Sequence, residues 1–312
     1  MGYSSGLSPA MLLSAALVAC SVGPGPTVGP TGGAASRGTV PVAGAAAAVL
    51  IGAGDIADCA STGDSRTLAV VQRNAGTVFT LGDNAYPSGS KADFARCYAP
   101  TWGKVKNRTR PAIGNHDYHT AGGAPYFDYF GPKAGPRGKG YYSYDVGAWH
   151  VVVLNNNCRS VPGGCGTGSA QQRWLRADLA AAGNCTVAMA HHPQFSSADR
   201  HPPTAQTRPL VQTLYDAGVE LLLAGHDHVY ERFAPQTPTG RPDPDRGIRE
   251  IIVGTGGGAE RHTFGPAAAN SERRESDTLG VLRLTLRPGS YRWDFLPVAG
   301  ETFTDSGTGT CH

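Results

Sequence analysis

Long apolar runs are missing from this chain of 312 residues. A membrane-spanning helix needs about 20 consecutive apolar residues, and the best candidate, residues 11–19, is too short. Charge is scarce as well: Asp, Glu, Lys and Arg make up 16% of the chain, and the formal net charge is only +3. With both signs interspersed, that balance excludes a dedicated nucleic-acid binder, although not a nucleotide substrate. No Cys-x-x-Cys pair occurs, which removes the usual signature of a cysteine-based structural zinc site. No internal repeat is visible. Glycine and proline are abundant instead, at 43 and 23 residues beside a 40% hydrophobic fraction. Such a chain packs a core and connects its elements with long or sharply turned loops. Its length suits one large domain or two small ones.

The N-terminus reads as a targeting segment. Residues 11–19 form an apolar run of signal-peptide length that ends at Cys20. Leu17-Val18-Ala19-Cys20 resembles the bacterial lipobox, whose cysteine is acylated and becomes the new N-terminus. No Lys or Arg precedes it, a departure from the usual basic start; the alternative is an ordinary signal peptide cut nearby, with Cys20 discarded. Residues 21–46, rich in Gly, Pro, Ala, Ser and Thr, cannot bury enough apolar surface to fold and read as a tether. The expected organisation is a leader with a lipobox at 1–20, a tether at 21–46 and one folded domain at 47–312. The protein is expected to be exported, as a cell-surface lipoprotein or otherwise secreted. Six cysteines remain after Cys20, an even number that suggests three disulfides among fifteen pairings. Cys158 and Cys165 flank a Gly-rich loop and are expected to pair. Cys59 with Cys97 and Cys185 with Cys311 is the assumption for the rest.

Within the domain, apolar runs at 49–51 and 77–81 bracket a helical pattern at 64–74, which suggests a βαβ unit and a partly parallel sheet. A third strand ends near 113, and 141–146 with 149–154 reads as a hairpin around Gly147-Ala148. Ser169 with Gln172 three residues later marks the capping box of a helix that runs to about 182. Further strands are expected at 186–190, 219–223, 248–253, 279–286 and 291–295, and a helix at 207–217. The pattern is α/β early and richer in β later, which a layered domain with a central β sandwich accommodates.

The polar clusters recur at one topological place, directly after an apolar strand. They are Gly54-Asp55, Gly82-Asp83-Asn84-Ala85-Tyr86, Gly114-Asn115-His116-Asp117, His191-His192-Pro193 and Gly225-His226-Asp227-His228. Carboxyl ends of strands in an α/β sheet face one crevice, so the five clusters are expected to converge there. Asp, Asn and His together offer hard oxygens and borderline nitrogens, a mixed set suited to two cations. A carboxylate can bridge such a pair, and two metals about 3.5–4 Å apart serve phosphoryl transfer.

Taken in order, these blocks resemble the signature of the calcineurin-like metallophosphoesterase superfamily. Gly-Asp-x-x-Tyr, with Tyr86, looks like the purple acid phosphatase variant. The resemblance implies a four-layer αββα sandwich of the α/β (α+β) class and an enzyme that hydrolyses phosphate monoesters by attack of a metal-bound hydroxide. It implies that Asp55, Asp83, Tyr86 and His228 hold one metal ion. Asp83, Asn115, His191 and His226 would hold the other, with Asp83 as the bridge. The implied pair is Fe(III) with Fe(II), Zn or Mn. His116, and more loosely His201, match the substrate-side histidines, and Asp117 is placed to orient the His116 ring. His191 rather than His192 fits the family pattern of His, any residue, Pro. His119, His150, His262 and His312 lie in no motif and are treated as structural or exposed. Plant-type members carry an additional N-terminal β domain, for which the tether leaves no room, so the compact form is expected.

Two apparent nucleotide motifs do not hold. Gly52-Ala53-Gly54-Asp55-Ile56-Ala57 has dinucleotide-binding spacing but opens into a turn-rich segment instead of a helix. Gly254-Thr255-Gly256-Gly257-Gly258 lacks the Lys-Ser/Thr of a P-loop and is expected to pass close to the site. Two other functions fit the same residues: a phosphodiesterase acting on nucleotides or phospholipid head groups, and a catalytically idle surface lipoprotein used for binding. The expected partner is a small phosphorylated substrate. Membrane contact is expected only through the lipid on Cys20, and no stable nucleic-acid binding.

Overall fold

The computed structural model describes Gly2 and residues 47–183, 185–200 and 205–312. Cys20, His201 and, Gly2 apart, the leader and tether expected at 1–46 lie outside the described residues. The chain opens with β1 (Ala48–Ala53), α1 (Gly63–Gln72) and β2 (Thr77–Leu81), the expected βαβ unit. It continues through α2 (Lys91–Asp93), β3 (Thr109–Ala112), α3 (Ala124–Phe130), β4 (Tyr142–Val146), β5 (Trp149–Val153), α4 (Ala170–Ala181), β6 (Thr186–Met189), α5 (Arg208–Asp216) and β7 (Leu221–Ala224). The last third is β8 (Tyr230–Phe233), β9 (Arg249–Val253), β10 (Ser271–Glu275), β11 (Gly280–Arg287), β12 (Ser290–Pro297) and β13 (Ser306–Thr310).

These strands build two sheets. One has six strands in the order β13-β12-β11-β1-β2-β3, the other seven in the order β10-β8-β9-β7-β6-β5-β4. β1, β2 and β3 run parallel, as do β5, β6, β7 and β9; the outer strands pair antiparallel. Strand alternation assigns the faces. Val151, Val153, Val187, Met189, Leu221 and Leu223 point into the core shared with the six-stranded sheet. Val152, Leu154, Ala188 and Leu222 point outward and pack under Leu175 of α4 and Leu210 and Leu214 of α5. Strands covered on both faces read as continuous apolar runs, which is why they were legible. On the other side α1 packs against β11 and β12, placing helices outside both sheets.

The sequence pattern missed β8, β10 and β13. In β10, Ser-Glu-Arg-Arg-Glu has no apolar residue, as suits a charged edge strand that discourages further pairing. β13 reads Ser-Gly-Thr-Gly-Thr. A Cβ at Gly307 would lie 2.2 Å from the Trp293 ring, and one at Gly309 2.3 Å from Tyr291, so two aromatic rings of β12 take the space that side chains would fill. In α4 the Ser169 hydroxyl accepts the Gln172 N–H as expected, but the Gln172 side chain reaches the N–H of Gly168 rather than that of Ser169.

All three expected disulfides form: Cys59–Cys97, Cys158–Cys165 and Cys185–Cys311. The last ties the start of β6 in one sheet to the end of β13 in the other. Among the described residues no helix is long and apolar enough to cross a membrane.

Candidate dimetal centre

Five parallel strand ends deliver the polar clusters to one edge of the sandwich: Asp55 after β1, Asp83 after β2, Asn115 after β3, His191 after β6, and His226 and His228 after β7. Close approach of these loops demands glycine. A Cβ at Gly82, where φ is +88°, would lie 2.4 Å from His191 Nδ1, and one at Gly114 would lie 2.1 Å from both Asp83 N and Asp83 Oδ1. Three of the functional residues themselves take left-handed backbone, with φ of 60° at Asp55, 49° at Asp83 and 71° at His226. The main chain turns back at each, aiming the side chain into the crevice.

Seven donor side chains meet there in two groups. The Tyr86 hydroxyl lies 3.1 Å from Asp55 Oδ1, 3.2 Å from Asp83 Oδ2 and 2.9 Å from His228 Nε2. On the other side His191 Nε2 lies 2.8 Å from Asn115 Oδ1, 3.2 Å from His226 Nδ1 and 3.4 Å from Asp83 Oδ1. Asp83 spans both, one carboxylate oxygen to each, and Asp55 Oδ2 accepts the backbone N–H of His226 at 2.8 Å. Backbone carbonyls hold the rings: His191 Nδ1–H donates to Leu81 O at 2.7 Å and His228 Nδ1–H to Glu260 O at 2.8 Å. Each Nε2 lone pair is thereby turned toward the cluster, the usual way a protein prepares a histidine for a metal.

The electrostatics call for cations. Asp55 and Asp83 are buried, and among the described residues no Lys or Arg stands within ion-pair distance of either; the ionisable groups that face them are histidines. Buried carboxylates need a counter-charge, and a donor set of Asp, Asn, Tyr and His oxygens and nitrogens fits two metal ions. Burial alone would raise the Asp83 carboxyl, but His191, His116 and His226 pull it well below the ordinary range. Burial would lower His191, yet Asp83 holds it up at about 9. Burial, with Asp55 and Asp83 beside it, keeps the Tyr86 phenol well above its usual value. A bound cation reverses that logic, stabilising the phenolate.

His116 stands beside the cluster. Its Nδ1–H donates to Pro87 O at 2.8 Å, its Nε2 lies 3.9 Å from Asp83 Oδ2, and its ring sits 4.6 Å from that of Tyr86. The expectation that Asp117 orients His116 is corrected: on the tight turn 116–118 the carboxylate points inward. It accepts the N–H of Gly114 and the side-chain amide of Asn84, each at 2.9 Å, and so braces the loops that carry Asp83 and Asn115. Burial, with Asp83 nearby, raises this carboxyl to about 7.

Other contributors escaped the sequence pattern. Asn155, Asn156 and Asn157 follow β5 and are almost wholly buried. Asn156 Oδ1 accepts the N–H groups of His191 (3.2 Å) and His192 (3.0 Å), while its amide donates to His192 O at 2.6 Å. Asn157 donates to Ile113 O at 2.9 Å, just ahead of Asn115. His262, treated as structural or exposed, is buried and lines the crevice, its ring stacked on His228. The Gly-rich stretch behaves as expected: Gly256 N–H donates to Gly54 O and Gly258 N–H to Asp55 O.

Residues 48–230, over half of the chain, match the family model of the calcineurin-like phosphoesterases, and the chain belongs to that family. Within it, the similarity is to purple acid phosphatases. The chain is 31% identical to purple acid phosphatase 22 of Arabidopsis thaliana over 162 residues, covering 48% of this chain and 35% of that protein. Over 145 residues it is 33% identical to purple acid phosphatase 21 of the same plant, covering 44% and 32%. It thus spans about a third of the length of these relatives. Among solved structures, the purple acid phosphatase PPD1 from yellow lupin (Lupinus luteus) seeds superposes with a TM-score of 0.72 at 18% identity, covering 85% of this chain and 54% of that one. At that identity the likeness concerns the fold.

Proposed function

We propose that this chain is an exported, dimetal hydrolase of small phosphate monoesters. The observation that carries the reading is the convergence of seven donor side chains in two groups that share the Asp83 carboxylate. Asp55, Asp83, Tyr86 and His228 would hold one cation; Asp83, Asn115, His191 and His226 would hold the other. Tyr86 among hard oxygen donors favours Fe(III) on its side, with Fe(II), Zn or Mn as the second ion. When bound, the cations supply charge to polarise phosphoryl oxygens and lower the pKa of a water.

The protein's own groups do the rest. His116, fixed through Nδ1 by the Pro87 carbonyl, presents Nε2 to the cluster and in its protonated form delivers a proton to the leaving alcohol oxygen. His201 is proposed as a second substrate-side histidine. The crevice encloses about 250 Å³, below the range of roughly 300–1,000 Å³ typical of ligand pockets, which favours a small monoester over a bulky diester. Three disulfides and the apolar run before Cys20 support an exported domain on a 21–46 tether, anchored through an acyl chain on Cys20 and without stable nucleic-acid binding.

Hydrolysis of a chromogenic monoester and a chromogenic diester, after loading with Fe/Zn or Mn, tests the reading. Monoester turnover is expected to dominate and to vanish in an Asp83→Ala, Asn115→Ala double variant. Turnover that survives in that variant overturns the dimetal assignment, dominant diester turnover overturns the substrate class, and no turnover with metal bound favours an idle binding domain. A visible absorption band lost in Tyr86→Phe identifies the ferric ion, and release of Cys20→Ala from the membrane fraction identifies the anchor.

A further inference from the structure

We infer that His150, held as an imidazolium between two carboxylates, is a positioning residue that ties the acidity of the medium to the order of the loop carrying His191. Its part in catalysis rests on the hydrolase reading above. His150 lies on the outer face of the seven-stranded sheet, under α4, and is not among the residues that line the crevice. Asp145, directly across from it on β4, brings Oδ1 to 2.8 Å from Nδ1. Asp178 of α4 brings Oδ2 to 2.9 Å from Nε2, and its Oδ1 accepts the Ser143 hydroxyl at 2.7 Å. An ionised carboxylate only accepts, and a neutral imidazole has a single N–H, so both contacts are hydrogen bonds only in the doubly protonated ring. Burial alone would lower the imidazolium, but Asp178 and Asp145 outweigh it and hold the ring above its usual value. Those two are the charged groups that face it; its neighbour on β6, Thr186, is uncharged. The side chain of His150 is 12% exposed and that of Asp178 16%, against 77% for Asp145. Water screens the Asp145 contact, so the Asp178 contact carries the effect.

Helix α4 links this clasp to the site. Gln171, Leu175 and Asp178 recur at helical spacing on its inner face, so the helix is seated on the sheet by a polar residue at each end and an apolar one between. At the first turn Gln171 grips the backbone of Asn155 twice: Oε1 accepts its N–H and the amide donates to its carbonyl, both at 2.8 Å. Asn156, the next residue, accepts the N–H groups of His191 and His192. Two turns further along the helix, Asp178 holds it to β4 and β5 through Ser143 and His150. With the ring charged, the His150 attachment is strengthened by charge on both partners; once the ring is neutral, the weaker bond of a neutral donor remains. Because the ring is raised on folding, the clasp is at full strength below the unfolded value of about 6.5 and weakens as pH climbs through the folded one. Acid therefore tightens the helix, the asparagine loop and the histidine loop together.

Amide hydrogen exchange at His191 and His192 in metal-free protein, corrected for intrinsic rates and followed from about pH 5 to pH 8, is the primary test. His150→Gln keeps an amide donor for Asp178 but carries no titrating charge, and Asp178→Asn keeps the ring but removes its partner's charge. Near pH 5 both variants should protect the two amides about 3–10-fold less than wild type, the margin of a charged over a neutral hydrogen bond. Near pH 8 the His150→Gln deficit should vanish. A purely structural clasp would leave the same deficit at every pH; that result, or no deficit at all, overturns the inference. The His150 ring of wild type, followed by NMR, should titrate above the ordinary value of about 6.5. Titration at or below that value counts equally against the inference and requires no variant to fold. With metals loaded, kcat/KM for a chromogenic monoester should fall in His150→Gln at acid pH and meet wild type in alkali; a constant ratio overturns the catalytic role. A wild type that hydrolyses no ester sinks the hydrolase reading, while the exchange result still decides whether His150 orders the loop.

Discussion

Replacing Asn156 with leucine tests how the histidine loop is held. Leucine has a similar shape and no polar atom, so the N–H of His191, the N–H of His192 and the carbonyl of His192 all lose their hydrogen bond to Asn156. His191 is fully buried and Asn156 5% exposed, so water is poorly placed to substitute. An orphaned buried backbone group costs about 1–3 kcal/mol. Three sharing one side chain are not additive, which puts the total at about 3–5 kcal/mol. At roughly 2–4 °C per kcal/mol for a domain near this size, the midpoint of unfolding should fall by about 6–20 °C. Urea titration and thermal melts of the metal-free protein are the right assays, because they separate the loop from any loss of bound ions. A cost below about 1 kcal/mol in metal-free protein would refute the claim that Asn156 holds the loop.

Three further outcomes are expected. In Gly114→Ala the new Cβ would sit 2.1 Å from Asp83 N and Oδ1; metal analysis should find at least one ion missing, and a full complement would contradict the packing argument. Burial raises the Glu220 carboxyl to about 7 from an ordinary 4.5. Its contribution to stability is therefore complete below pH 4.5 and lost as pH climbs through 7. Glu220→Gln should match wild type near pH 4 and exceed it above pH 7 by on the order of 1–3 kcal/mol, as urea midpoints across pH would reveal. Removing the disulfides singly should cost about 4.9, 3.9 and 2.4 kcal/mol for Cys185–Cys311, Cys59–Cys97 and Cys158–Cys165 by loop-closure entropy, because their separations are 126, 38 and 7 residues. A reversed order in calorimetric melts would argue against that entropic account.

The convergence of the donor side chains was legible because each sits in a short motif beside a strand end, and a strand covered on both faces announces itself as an apolar run. Asn155 to Asn157 were not, since three amides after a strand look like any polar loop, and the loop they hold lies some 35 residues on. His262 has no motif at all; its place depends on a tertiary stack made after the last recognisable block. Asp117 misled for the opposite reason, because adjacency to His116 suggested a contact that the tight turn prevents. β10 and β13 were hidden by composition: the first is protected by charge, and the second yields its side-chain space to Trp293 and Tyr291.

The left-handed backbone at Asp55, Asp83 and His226 bears on how such a domain can evolve. A non-glycine residue in that conformation is disfavoured by about 1–2 kcal/mol, and two of the three also carry buried charge. Glycine takes this backbone without that penalty, although the Asp55 and Asp83 carboxylates also accept the N–H groups of His226 and His116. Mutations to glycine there would end the chemistry while relieving the scaffold, so selection for stability alone gives no protection to the active centre. A lineage released from the need to hydrolyse esters can therefore shed its metals through neutral or even stabilising steps. The durable sandwich it keeps is then free to serve as a surface for recognition.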